Sequence, residues 1–194
     1  RRFVLAMHGR ALAIGRAVVP RLDLDDCRHL LDIGGGSGAY SILIARAFPQ
    51  LRCTVLDLPP VVAVAKDLVS EAGLDDRISL LGADYHAAEL PAGQDAVIIF
   101  GVLHQEAPDA IRDIFRRAHA VLRPGGRIYI LDMMTDRTHT QPPFSALFAV
   151  NMALTTENGW VFSDEELGRW LTEAGFSPPD CTPLPPPMPH WLAT

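Results

Sequence analysis

Short apolar runs alternate with stretches of helical period along this chain. The runs lie at 29–34 (HLLDIG), 52–57 (RCTVLD), 77–82 (RISLLG), 95–102 (DAVIIFGV) and 127–132 (RIYILD). Several are apolar at consecutive positions, the pattern of a strand covered on both faces. Between and after them the period changes, predicting helices over 39–48, 60–72, 107–122 and 163–174. In the third of these, Ile111, Ile114, Phe115, Ala118 and Leu122 share one face. The alternation predicts an α/β domain, a doubly wound and mostly parallel sheet with crossover helices.

The helix ends carry chemical marks. Pro59-Pro60 suits a helix start and Gly73 a position just past a helix end. Pro108 opens the third helix, and Pro124-Gly125-Gly126 reads as the turn after it. Ser163, followed three residues on by Glu166, reads as a capping box. After Gly175-Phe176 the chain becomes rich in proline, which fits edge strands and rigid connections. The opening, RRFVLAMHGRALAIGRAVV, has no initiator Met and starts inside an apparent helix. Residues 1–20 are therefore expected to form a helix leading into a domain over 21–194, with the N-terminal part of a longer protein absent.

Composition narrows the function classes. The 194 residues are 48% hydrophobic and 21% charged, as in a soluble globular domain, and the formal net charge of −6 gives no general attraction to nucleic acid or anionic lipid. No apolar run approaches the roughly 20 residues of a membrane helix, and no signal peptide opens the chain, so a cytoplasmic location is expected. Cys27, Cys53 and Cys181 are too scattered for a disulfide framework or a zinc site.

The densest chemical signal is HLLDIGGGSGAYSILIARA. Gly34, Gly35, Gly36 and Gly38 stand between the first strand and the first crossover helix. At that turn a bare backbone lets a ligand approach, and the helix N-terminus offers free N–H groups. A nucleotide-containing cofactor is the expected occupant. Gly34, Gly36 and Ala39 satisfy G-x-G-x-x-G/A, while Gly34, Gly36 and Gly38 equally satisfy G-x-G-x-G, so the glycines alone do not choose the cofactor. Asp57 ends the second strand, where an acid would take a ribose hydroxyl pair. Asp84 and Tyr85 follow the third strand at the same rim, suited to an adenine amino group and ring. An NAD(P)-dependent oxidoreductase would need a Tyr/Lys pair or its equivalent, yet Lys66, the only lysine, lies in the helix at 60–72.

The stretches LLDIGGGSGAYSILIARAFPQLRCTVLDLPPVV, GADYH and VLHQEAPDAIRDIFRRAHAVLRPGGRIYILDMM resemble the S-adenosylmethionine-dependent O-methyltransferases of the plant caffeate and bacterial antibiotic-tailoring type. The FVLAM opening and the SDEELGRWLTEAGF helix match too, so the resemblance covers nearly the whole chain. It implies a Rossmann-like class I methyltransferase fold, with a seven-stranded sheet, the last strand antiparallel (MPHWLAT supplying it), and helices on both faces. It implies S-adenosyl-L-methionine as cofactor and S-adenosyl-L-homocysteine as product, held by Gly34, Gly36, Gly38, Asp57, Leu58, Asp84 and Tyr85. It further implies a small-molecule substrate and a homodimer in the full-length protein through an N-terminal helical domain; from the net charge and the apolar runs, no nucleic-acid or membrane partner is expected.

The resemblance also assigns the chemistry. His104 of VLHQE stands where the family places a general base, a residue type whose ordinary pKa of about 6.5 suits proton transfer near neutral pH. Asp132 matches an orienting acid, and a second acid falls at Val161, with Glu157 four residues earlier as a possible substitute. Glu106 reads as first-turn helix charge. HQE replaces the family's HDW, and Phe100 stands for a lysine near the cofactor. Met7, Phe148 and Met152 are expected to contact substrate, with Phe3, Phe144 and Trp160 as further wall candidates. No cluster of Asp and Asn ligands suggests a metal. Transfer to carbon or nitrogen, and a non-catalytic cofactor-binding module, remain open alternatives.

Overall fold

A computed structural model describes residues 1–194. The chain contains α1 (Arg2–Val18), β1 (His29–Ile33), α2 (Ala39–Ala47), β2 (Arg52–Asp57), α3 (Pro59–Glu71), β3 (Ile78–Gly82), β4 (Gln94–Phe100), α4 (Pro108–Val121), β5 (Leu122–Asp132), α5 (Pro143–Thr155), α6 (Asp164–Glu173), β6 (Cys181–Pro183) and β7 (Trp191–Ala193). The seven strands form one sheet in the order β3-β2-β1-β4-β5-β7-β6. The mostly parallel sheet expected from the alternation is present, with the seven strands that the resemblance implies. Two compact units divide the chain: Arg1–Ile99 with Val121–Ile128, and Phe100–Ala120 with Tyr129–Thr194.

In the first unit β1 pairs in parallel with β2 and β4, and β2 with β3. Leu30, Leu31, Asp32 and Ile33 are buried in succession, as are Ala96, Val97, Ile98, Ile99 and Phe100. Successive strand residues point to opposite faces, so unbroken burial means both faces are covered. Each buried Leu or Ile contributes about 1.5–3 kcal/mol relative to exposure. Arg77 donates to the carbonyls of Ala45, Phe48 and Leu51, satisfying groups that the end of α2 leaves without intrahelical partners.

In the second unit β7 is antiparallel to both β5 and β6. MPHWLAT therefore supplies the antiparallel strand, and β6, which ends in Pro183, takes the sheet edge, where a missing N–H is tolerated. The capping box at Ser163 forms in full: its side chain accepts from the Glu166 N–H, while the Glu166 carboxylate accepts from the Ser163 N–H.

Three expectations need correcting. β4 ends at Phe100 rather than at 102, because Gly101 adopts φ +70, outside extended geometry. β5 begins at Leu122, directly after α4, so Pro124-Gly125-Gly126 lies within its bounds; the turn survives as Gly125 at φ +79. A Cβ on Gly126 would meet the Arg123 carbonyl oxygen at 2.9 Å. Third, α1 and the 3-10 turn Val19–Arg21 form a segment, Arg2–Arg21, with mean hydropathy 1.2, long and apolar enough by length and composition to cross a membrane. Widely spaced arginines concealed that run. In the fold the segment packs on α2, close enough that a Cβ on Gly15 would meet Leu43 Cδ1 at 2.5 Å.

A buried acid underlies the turn after β1. Asp32 is 1% exposed; its Oδ2 accepts from the Ser41 hydroxyl at 2.7 Å and its Oδ1 has no hydrogen-bond partner. Burial pushes its pKa up to about 7; the Ser41 bond opposes the shift and the Asp57 charge adds to it. The folded chain thus holds a proton that the unfolded chain, titrating near 3.8, releases. Between those values the folded state binds more protons, so stability falls as pH rises from about 4 to 7. Asp32→Asn should abolish this contribution, on the order of a few kcal/mol. Thermal unfolding at pH 5 and pH 8 checks it: the midpoint of the variant should fall less between the two than that of the unaltered chain.

Candidate active site

The sheet register gathers the first set of residues. β1 and β2 align Ile33 with Leu56, and β2 and β3 align Asp57 with Gly82, so the chain leaves all three strands at one edge. Gly34, Gly36 and Gly38 adopt φ +67, +58 and +73, backbone that L side chains rarely take. The N–H groups of Gly34 and Gly35 both reach the Leu56 carbonyl, at 2.8 and 3.3 Å. Gly35 is needed for space: its Cβ would lie 2.6 Å from Asp32 Cγ and 2.8 Å from Val55 Cγ1. Gly36 differs, since its Cβ would meet nothing within 4 Å.

Asp57 faces this loop. Its Oδ2 accepts from the Gly36 N–H at 2.8 Å and its Oδ1 from the Leu58 N–H at 2.7 Å. Burial raises its pKa, and the two backbone hydrogen bonds oppose the shift. Each carboxylate oxygen has a second lone pair, so the acid can hold its loop and still accept from a hydroxyl. Leu58 is exposed beside it, immediately before α3. Asp84 follows β3 and is exposed; its Oδ1 accepts from the His86 N–H at 2.9 Å, so it also serves its own turn. Tyr85 is half-buried, its ring 4.5 Å from that of His86. The first unit therefore brings together Gly34, Gly36, Gly38, Asp57, Leu58, Asp84 and Tyr85 at one strand edge. Met7 is exposed on α1, and the next residue, His8, bonds through Nδ1 to the Ser37 hydroxyl at 2.9 Å. Burial lowers the His8 pKa, against a smaller opposing effect of the Glu71 charge.

The second unit holds the other set. His104 lies in the 3-10 turn Leu103–Gln105, and its Nδ1 is 2.8 Å from Oδ1 of the buried Asp132. The His104 N–H donates to Asp132 Oδ2 at 3.2 Å, and the Met133 N–H donates to Oδ1 at 2.8 Å. With the carboxylate accepting at Nδ1, that nitrogen carries the ring proton and Nε2 presents a lone pair. Phe148 meets the His104 ring edge to face, centroids 5.2 Å apart. Met152, one turn further along α5, lies near the same turn: a Cβ on Gly159 would be 3.1 Å from both Met152 Cβ and the His104 carbonyl. Phe144 and Phe3 are exposed.

Val161 is 2% exposed in the core and Glu157 lies on the surface, so the carboxylate hydrogen-bonded to His104 is that of Asp132. Glu106 is no solvated helix charge: it is 8% exposed and precedes α4. Sequence reasoning missed Asp32, whose position two residues before the glycines was the available clue, and His8, for which no local signal exists. Trp160 was read only as a wall, yet it donates from its backbone to the His104 carbonyl at 3.0 Å and from its indole to the Glu106 carbonyl at 2.9 Å.

The chain is similar to known proteins. The O-methyltransferase domain family matches residues 1–177. The 3-hydroxy-5-methyl-1-naphthoate 3-O-methyltransferase of Streptomyces sahachiroi is 35% identical over 84% of this chain and 47% of its own length. The L-tyrosine C(3)-methyltransferase of Streptomyces lavendulae is also 35% identical, over 83% of this chain and 44% of its own length. The crystal structure of human N-acetylserotonin methyltransferase in complex with S-adenosylmethionine superposes with a TM-score of 0.86, at 27% identity, over 98% of this chain and 54% of that one. The chain thus spans about half the length of the curated relatives it matches. With the glycine turn, the acid after β2 and the seven-stranded order all in place, the extent of these matches shows that the chain belongs to the O-methyltransferase domain family.

Proposed function

We propose that this chain is the catalytic part of an enzyme that transfers a methyl group from S-adenosyl-L-methionine to a hydroxyl of a small aromatic or polyketide-like molecule, with His104 as general base. The observation that carries the reading is the 2.8 Å contact of His104 Nδ1 with the buried Asp132, which leaves Nε2 as the basic nitrogen.

The loop fits the cofactor. Gly36 turns an open, side-chain-free backbone outward, and Asp57 sits behind it with lone pairs available for ribose hydroxyls. When bound, S-adenosylmethionine supplies a methyl group already activated by its sulfonium. What this chain must add is alignment and removal of a proton. The acceptor oxygen loses its proton to His104 Nε2 as it takes the methyl group, and Asp132 stabilises the resulting imidazolium through Nδ1. Phe148 and Met152 supply apolar wall beside the base, and Asp84 with Tyr85 flanks the adenine. Assembly as a homodimer belongs to the same reading: Phe144, Leu147, Val150 and Leu154 of α5 are exposed, as are Phe3, Leu5 and Met7 of α1, apolar surface of the kind a partner covers.

Transfer to carbon is a second reading, favoured by the tyrosine C(3)-methyltransferase at the same 35% identity. It uses the same base, because a phenol that loses its proton becomes nucleophilic at the carbon beside the hydroxyl as well as at oxygen.

Two sets of variants test the proposal. Gly36→Ala introduces strain of about 1 kcal/mol but clashes with nothing in the protein, so its unfolding midpoint should fall only a few degrees. Calorimetric titration should nevertheless show S-adenosylhomocysteine bound at least tenfold more weakly. Gly35→Ala should instead act mainly on folding. Binding of NADH in place of S-adenosylhomocysteine would overturn the cofactor assignment. Separately, His104→Ala and His104→Gln should lower kcat by about 10²–10⁴-fold while S-adenosylhomocysteine affinity stays within twofold. Asp132→Asn should lower it in the same direction. Unchanged turnover in both His104 variants, measured in the full-length protein with 3-hydroxy-5-methyl-1-naphthoate and L-tyrosine among the acceptors, would remove His104 from the mechanism.

A further inference from the structure

The base stands on a weak piece of backbone. Leu103–Gln105 is one 3-10 turn of three residues, too short to hold a side-chain direction by its own hydrogen bonds. Asp132 holds the His104 ring and its N–H. The other side of the turn is held by Trp160. Its backbone N–H donates to the His104 carbonyl at 3.0 Å, and its indole Nε1–H donates to the Glu106 carbonyl at 2.9 Å. One residue thus grips two carbonyls two positions apart, and two attachments resist the rotation that a single one permits.

Trp160 is itself anchored. Its ring lies 5.9 Å from that of Trp170, which is 1% exposed on α6, and is stacked at 6.4 Å and 29° on His139. The residue before it keeps the approach close. A Cβ on Gly159 would lie 1.9 Å from Thr156 Oγ1 and 3.1 Å from the His104 carbonyl, so a side chain there would push the segment away. Residues 157–161 bring no carboxylate to the His104 turn, since Glu157 is exposed and position 161 is valine. They bring two hydrogen-bond donors.

We infer that Trp160 is a positioning residue that fixes the direction of the His104 ring by clamping the carbonyls of His104 and Glu106. The inference rests on the reading of His104 as base and adds a second support, independent of Asp132. Trp160 acts through His104 and needs no contact with substrate or cofactor.

Trp160→Phe isolates the effect, because it keeps the backbone donor and the ring contacts and deletes the indole N–H. In protein labelled with 15N-histidine, His104→Gln identifies the His104 ring signals. Trp160→Phe should shift or broaden those signals and leave those of His119 and His29 within a line width. Trp160→Leu should displace them further. Affinity for S-adenosylhomocysteine should stay within twofold, kcat should fall about tenfold, and Trp160→Phe should cause no further loss when added to His104→Gln. Unmoved His104 signals in Trp160→Phe, or equal movement of all three histidines, would overturn the inference. The two readings fail separately: full turnover in His104→Gln removes the base, whereas slow turnover there with unmoved signals in Trp160→Phe removes only the clamp.

Discussion

The parallel pairing of β1 with β2 is the constraint from which the glycine turn takes its meaning. Alignment of Ile33 with Leu56 means that the chain leaves β1 beside the point where Asp57 ends β2. The Gly36 N–H then meets the Asp57 carboxylate at 2.8 Å. That bond closes only because Gly34, Gly36 and Gly38 accept positive φ and because Gly35 has no side chain to strike Asp32 and Val55. A slip of one residue would turn every strand side chain to the opposite face and separate loop from acid. Fold and candidate cofactor site are therefore one structure here: the register that buries the core also sets the acid behind the glycines.

The same constraint explains why a costly group lies beneath the turn. Asp32 is buried with one oxygen unpartnered, and the Asp57 charge opposes its ionisation. Asp57 is itself disfavoured as an anion by burial, offset by two backbone donors. Burial thus disfavours the anion of both acids at this edge, more strongly for Asp32 than a single hydrogen bond offsets. Perturbed carboxylates cluster at functional sites, where burial and neighbouring charges are arranged together.

Much of this was legible in the sequence. Strand positions followed from consecutive apolar residues, and α6 from its capping box, because those signals are local and chemical. The grouping of Asp57, Asp84 and the glycines was legible because a parallel sheet delivers the ends of its strands to one edge. What escaped depends on contacts distant in sequence or on close approach. The bond of His8 to Ser37 joins residues 29 apart with no pattern between them. The burial of Glu106 was hidden by its place just before a helix, where a carboxylate ordinarily sits in water. Trp160 was read as substrate wall because its segment matches one that the resembling family uses for substrate contact, and only geometry shows its donors committed to two carbonyls. The strand bounds of β5 reached back into Pro124-Gly125-Gly126 because the turn there is tight enough to remain within the element.

Methyl transfer from a sulfonium asks little of a base, because the leaving group departs as a neutral thioether. In the proposed mechanism, His104, hydrogen-bonded to the buried Asp132, takes a phenolic proton. Once that proton has gone, negative charge is shared between the oxygen and the ring carbons beside it. Which atom receives the methyl group is then decided by which one the walls hold in line with the donor, not by how basic the histidine is. In this chain Phe148 stands edge-on to His104, and Met152 lies one turn further along α5. Relatives that methylate oxygen and relatives that methylate carbon can accordingly stand at the same 35% identity to it. On the proposed reading, the side chains of α5 beside His104 would set which atom is methylated, and the register of β1, β2 and β3 that places Asp57 behind the glycines would serve either chemistry.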